Sequence, residues 1–149
     1  MASRICVCRL VALAMISCSV LVAVGGIAGC SKASRTDIAA DIAADYVRGV
    51  AGADQQALVR ATGHRWPENE LRAMREDLGI SAPGDVEILE VRETELPAPS
   101  LVVGDGSLGR ELGYEVRYRM KGETGVRRAM VELFEEGSRL MATGGYSLE

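Results

Sequence analysis

The hydrophobic period of this chain changes at Ser81, and that change limits what it can fold into. Upstream, apolar residues recur at three- and four-residue intervals, the spacing of one helix face. Downstream they alternate with charged residues, the spacing of a half-buried strand. Helices first, then consecutive strands joined by short turns, give an α+β domain. N-terminal helices are expected to pack on an antiparallel sheet of three to four strands.

The helical part begins at Ser34, with Asp37 three residues on in the capping-box position. Ile38, Ile42, Tyr46 and Val50 recur every four residues, and Ala39, Ala43 and Val47 widen the stripe. Asp37, Asp41, Asp45 and Arg48 take polar positions, and Gly52 is a stop signal. Asp54 is the N-cap of a short helix, Gln55 to about Thr62, closed by Gly63. A third helix starts near Pro67, shows Leu71, Met74 and Leu78 on one face, and ends at Gly79.

Ala82 to Asp85 is turn chemistry. Val86 to Leu96 reads as a strand whose apolar phase shifts between Ile88 and Leu89, the mark of a bulge or of burial on both faces. Pro97 and Pro99 interrupt it, Leu101 to Val103 reads as a short edge strand, and Gly104 to Gly113 as a glycine-rich loop. Tyr114, Val116, Tyr118 and Met120 then alternate with Glu115, Arg117 and Arg119. Val126 to Glu135 and Arg139 to Leu148 form the last two strands, turning at Glu136-Gly137-Ser138.

Residues 1–29 are of another kind. They hold no acidic residue, carry Arg4 and Arg9 ahead of the apolar run Leu10 to Val24, and break at Gly25-Gly26. This is the layout of a secretory signal peptide, and the run is shorter than the roughly 20 residues of a membrane span. Ile27-Ala28-Gly29-Cys30 resembles the bacterial lipobox. The resemblance implies cleavage between Gly29 and Cys30 and a diacylglyceryl thioether on Cys30. Two or three acyl chains, at about 0.8 kcal/mol per buried methylene, hold a protein stably on a bilayer. The expected organisation is a signal peptide at 1–29, a lipidated cysteine with a short tether at 30–35, and one α+β domain at 36–149. The expected location is extracytoplasmic and membrane-anchored. Ser31 lacks the aspartate of an inner-membrane retention signal, which points to the outer membrane in a cell with two.

Cleavage changes the composition that bears on chemistry. Cys6, Cys8 and Cys18 leave with the signal and Cys30 is consumed by lipid, so no disulfide and no cysteine metal site is expected. His64 is the only histidine, which rules out a multi-histidine metal site. No calcium-loop spacing of carboxylates occurs either, so neither metal nor cofactor is expected. The net charge of −4 becomes −6, with 15 basic residues against 21 acidic, which argues against a nucleic-acid partner.

Several side chains remain as candidates. His64, followed by Arg65 and Trp66, is a candidate general acid or base, though a surface-loop histidine is the simpler reading. Trp66, Tyr46, Tyr114 and Tyr118 could line a pocket or form ordinary core. Asp37, Asp41 and Asp45 share a helix face and could be paired carboxylates for catalysis or cation binding, though solubility and the helix dipole account for them as well. Arg117, Arg119 and Arg128 share the sheet face opposite the tyrosines, with Glu115 and Glu132 able to neutralise them. Met130 and Phe134 fall on the same face, an apolar pair among charges and so a candidate interface. The glycine-rich stretch 104–109 lacks the lysine of a phosphate loop, and no Gly-x-Ser-x-Gly elbow occurs.

The long first helix, the segment Gly52-Ala53-Asp54-Gln55-Gln56-Ala57-Leu58, and the hairpin Val131 to Leu148 resemble the nuclear-transport-factor-2-like, cystatin-like α+β cone, in particular its small bacterial lipoproteins. Where a tryptophan usually follows the acidic-glycine turn of those proteins, this chain has Leu140 or Met141. The resemblance implies a curved sheet around the long helix with a conical pocket between them. Some members are isomerases or dehydratases using Asp, His or Tyr; many lipoprotein members are non-catalytic. The expected function is a lipid-anchored, non-enzymatic envelope protein binding a protein partner, a second copy or a small apolar ligand. The alternatives are a small cone-pocket enzyme using His64 or a pocket carboxylate, and a structural envelope component associating through its sheet.

Overall fold

The computed structural model describes residues 34–97 and 109–149, which fall within one unit, Ala33–Glu149. Three helices, α1 (Arg35–Ala51), α2 (Gln55–Thr62) and α3 (Glu68–Asp77), precede four strands: β1 (Val86–Thr94), β2 (Arg110–Met120), β3 (Arg127–Glu136) and β4 (Arg139–Ser147). The strands form an antiparallel meander in the order β1-β2-β3-β4, so the chain is an α+β domain with helices packed on one sheet. The strand expected at Leu101 to Val103 and most of the glycine-rich loop lie outside the described residues.

Local chemistry explains the helix ends. The Ser34 hydroxyl accepts from the Asp37 amide at 3.2 Å and Asp37 Oδ2 accepts from the Ser34 amide at 2.9 Å, a complete capping box. Asp54 accepts from the amides of Gln56 and Ala57 at 2.9 and 3.1 Å. Gly63 ends α2 at φ 82°, a conformation only glycine adopts without strain. Pro67 stands at the cap of α3 rather than inside it, so the helix starts at Glu68.

The buried face of α1 is rotated from the expected stripe. Ala39, Ala43, Tyr46, Val47 and Val50 are buried, whereas Ile38 is 46% exposed and Ile42 only partly covered. The alanines let α1 lie close against the sheet. On one flank Gly49 touches α2, where an added Cβ would stand 2.6 Å from Leu58 Cβ.

The sheet departs from expectation at the start of β2. Arg110 to Gly113, expected in a loop, pair with Thr94 on β1 and with Glu132 to Glu135 on β3. Gly113 is suited to this place because the Leu96 side chain and the Thr94 carbonyl occupy the space of a Cβ, each at 2.8 Å. The expected phase shift in β1 is a bulge, with the register slipping between Ile88 and Glu90. A second slip, between Glu132 and Leu133, leaves Thr143 of β4 as an extra residue. The inner sheet face (Tyr114, Val116, Tyr118, Met120, Ala129, Val131, Leu133 and Ala142) meets the helices in a single core.

Candidate functional site

The structure does not gather the expected pocket residues. Tyr46, Tyr114 and Tyr118 are 2%, 2% and 0% exposed and occupy the space between α1 and the sheet. The Tyr46 ring lies over Gly145 of β4, where a Cβ would come within 2.8 Å of Cε1. Burial raises the Tyr46 phenol pKa, with the Asp77 and Glu132 carboxylates adding to the effect. Tyr118 carries a buried hydroxyl without a hydrogen-bond partner among the described residues, and burial raises its pKa too.

His64 and Trp66 sit elsewhere, on the loop between α2 and α3. His64 is exposed, with its ring centroid 4.2 Å from that of Trp66 and its Nδ1 3.3 Å from the Thr62 carbonyl. Trp66 donates to the Thr62 hydroxyl at 3.0 Å, and that hydroxyl donates to the Leu58 carbonyl at 2.9 Å. The loop is thus fastened to α2, and no described cavity joins His64 to the tyrosines.

The aspartates on α1 have structural partners. Burial pushes the Asp45 carboxyl pKa up, but hydrogen bonds from Arg60 (2.6 and 3.2 Å) and Arg48 (3.2 Å) and their charges pull it below its ordinary value. Hydrogen bonding with Ser34 lowers that of Asp37. Among the described residues no group of His, Cys, Asp and Glu has the geometry to hold a metal ion.

On the outer sheet face the three arginines are paired rather than free. Arg117 reaches Glu90 at 2.8 Å, Arg119 reaches Glu87 at 3.4 Å, and Arg128 lies 3.8 Å from Glu115. Arg92 completes the ladder at 2.6 Å from Glu115, which is only 6% exposed. The apolar pair is less open than expected. Met130 is 6% exposed, and Phe134 is half-buried beneath the Gly109 backbone, where a Cβ would overlap the ring. The face has two further apolar members. Tyr146 stands opposite Met130, and Met141 opposite Phe134, both half-buried. Alternation along β4 hides them, because the extra residue Thr143 reverses the phase between them.

Two openings lie at the end of the sheet where α1 begins. One, of about 230 Å³, is the mouth of the space between helix and sheet. Its floor includes Ala39, Leu112, Tyr114 and Leu140, and its rim Arg35, Glu93, Arg110 and Glu135. Arg35 forms an ion pair with Glu135 and donates to the Gly137 carbonyl at 2.7 Å. The other, of about 670 Å³, lies between the ends of β1 and β2, along Glu93 to Leu96 and Arg110 to Gly113. The rim residues come from α1, β1, β2 and β3, so sequence spacing carries no sign of them.

No family model matches the chain, and no curated protein or solved structure matches it at a significant level. No helix among the described residues is long and apolar enough to cross a membrane.

Proposed function

We propose that this chain is a lipid-anchored envelope protein, attached through Cys30, whose domain binds a protein partner on its outer sheet face and carries out no chemistry of its own. The observation that supports this most directly is the placement of the large side chains. Three tyrosines occupy the interior, while Met130, Phe134, Met141 and Tyr146 are set on the outer face beside a ladder of paired charges. An apolar centre rimmed by polar groups is the usual anatomy of an association surface. The ladder also fixes the arginines in place, so less side-chain freedom is lost on docking.

The anchor and the surface are tested separately. Wild-type protein is expected to incorporate palmitate, and Cys30→Ser to lose it; equal labelling would remove the anchor. For the surface, a photocrosslinker placed at Tyr146 in the native envelope is expected to capture a discrete partner that the same group at Arg72, exposed on α3, does not. Capture at neither position, or equally at both, would overturn the outer-face reading.

A further inference from the structure

The mouth at the start of α1 combines its place at the head of the helix with mixed charges and a small volume, and it shares Glu93 and Arg110 with the larger opening beside it. It is the place where the chain would leave the membrane. Arg35 and Thr36, the first residues of α1, line it directly. Cys30 precedes the helix cap Ser34 by four residues, a contour of at most about 14 Å. On the anchored reading, the mouth therefore lies within reach of the headgroup layer of the lipid that holds the chain.

Its charges are mixed and only half satisfied. Arg35 and Glu135 neutralise each other across the rim. Arg110 and Glu93 line the same opening, and neither forms an ion pair among the described residues. Tyr114 lies at the floor, 2% exposed, and its hydroxyl makes no hydrogen bond among the described residues. A guanidinium and a carboxylate without an ion-pair partner among the described residues, together with a phenol hydroxyl, complement a ligand that carries an anion, a cation and oxygen acceptors.

Size narrows the ligand. A cavity of about 230 Å³ is smaller than the roughly 300–1,000 Å³ that encloses a drug-sized molecule. It admits a headgroup and excludes the acyl chains, which stay in the bilayer.

We propose that the mouth binds the zwitterionic phosphate–primary-ammonium headgroup of a bilayer phospholipid, with Arg110 taking the phosphate, Glu93 the ammonium, and Tyr114 donating to a phosphate oxygen. This rests on the anchored reading above and adds to it a lipid preference. The domain would dock mouth-down on ethanolamine-type lipid, which leaves the outer sheet face open to a protein partner.

The test uses the full chain in detergent micelles, titrated with O-phosphoethanolamine and followed by amide chemical shifts. Shifts are expected at Tyr114, Arg110 and Glu93, with affinity about tenfold weaker in Arg110→Ala and in Glu93→Gln, as the loss of one charge-assisted contact predicts. Inorganic phosphate is expected to bind at least about tenfold more weakly than phosphoethanolamine. Equal affinity for the two probes would overturn the zwitterion assignment, and shifts that persist unchanged in both variants would overturn the site. Arg139→Ala, at the exposed start of β4, controls for general loss of charge and should leave the titration unchanged.

A second arm identifies the source. In nanodiscs of phosphatidylethanolamine the amides around Tyr114 should exchange several-fold more slowly than in phosphatidylglycerol discs. Equal exchange, with free phosphoethanolamine still bound, would refute the membrane source. Palmitate labelling of Cys30 reports on the anchor alone: labelled protein with an unresponsive mouth refutes this inference and leaves the anchor standing.

Discussion

Replacing Gly49 with alanine should weaken the domain, although alanine is the better helix former. In an open helix the change is favourable by about 1 kcal/mol. Here the new Cβ would stand 2.6 Å from Leu58 Cβ and 2.8 Å from Leu58 Cα and amide nitrogen. Carbon atoms in contact sit about 3.5–4.0 Å apart, so α2 must retreat by about 1 Å. The obstructing atoms are a Cβ and backbone, and no rotamer change moves them. Overpacking of this kind costs about 1–3 kcal/mol, which leaves a net loss of up to about 2 kcal/mol once the helix propensity is credited.

Urea unfolding measures the loss. Trp66, the only tryptophan, lies on the loop fastened to α2 and gives a fluorescence signal. Gly125→Ala is the control, because a Cβ there meets nothing within 4 Å; it should change stability by no more than about 0.5 kcal/mol. Leu58→Ala should not rescue Gly49→Ala, since alanine keeps the Cβ and the backbone that obstruct. A midpoint for Gly49→Ala above wild type would refute the close-packing argument. A rescue by Leu58→Ala would place the strain in the outer part of the Leu58 side chain instead.

Four further outcomes follow from the structure. Gly145→Ala should destabilise, because its Cβ would meet Tyr46 Cε1 at 2.8 Å and the Met130 carbonyl at 2.9 Å; thermal melting by circular dichroism reads the loss. Ala53→Gly should stabilise by about 1 kcal/mol, since Ala53 holds φ 54°, a left-handed conformation that costs a side-chain-bearing residue about that much. Thr62→Val should cost about 1–3 kcal/mol by removing the acceptor for Trp66 Nε1, with a shift in its emission. Asp45 is lowered in the folded state, so its contribution is complete above its unfolded pKa and is lost as pH falls through the folded value. Urea midpoints should therefore fall in the acid range below about pH 4, and Asp45→Asn should show less of that fall.

What the sequence reveals here depends on how far the responsible contact reaches. The caps at Ser34 and Asp54 are legible because each side chain bonds an amide two or three residues away. The bulge in β1 is legible because the apolar phase slips in place. The early start of β2 is not, because Gly113 pairs only where Leu96, seventeen residues upstream, fills its vacant side. The true face of α1 is set by docking against α2 and the sheet, so a run of isoleucines at the right spacing misleads. The mouth is hidden for the same reason: Arg35 and Glu135 are 100 residues apart in the chain and meet only through the fold.

Glu115 connects the charge ladder to the apolar patch. Its side chain is 7% exposed, whereas its partners Arg92 and Arg128 are 58% and 44% exposed. The two ends of each pair are therefore not equivalent. Removing Glu115 lets two exposed guanidinium groups return to water at little cost, but removing both arginines strands a buried carboxylate, which is far less favourable. The arginines are thus fastened over Glu115, and Met130, directly opposite it, is 6% exposed. Because Arg128 also donates to the Glu149 carbonyl at 2.8 Å, its position is fixed from two sides. A face arranged in this way presents half-covered Phe134, Met141 and Tyr146 beside charges whose positions are already set. A partner that buries the aromatic side without disturbing the Glu115 cluster would meet a surface that needs little rearrangement to receive it.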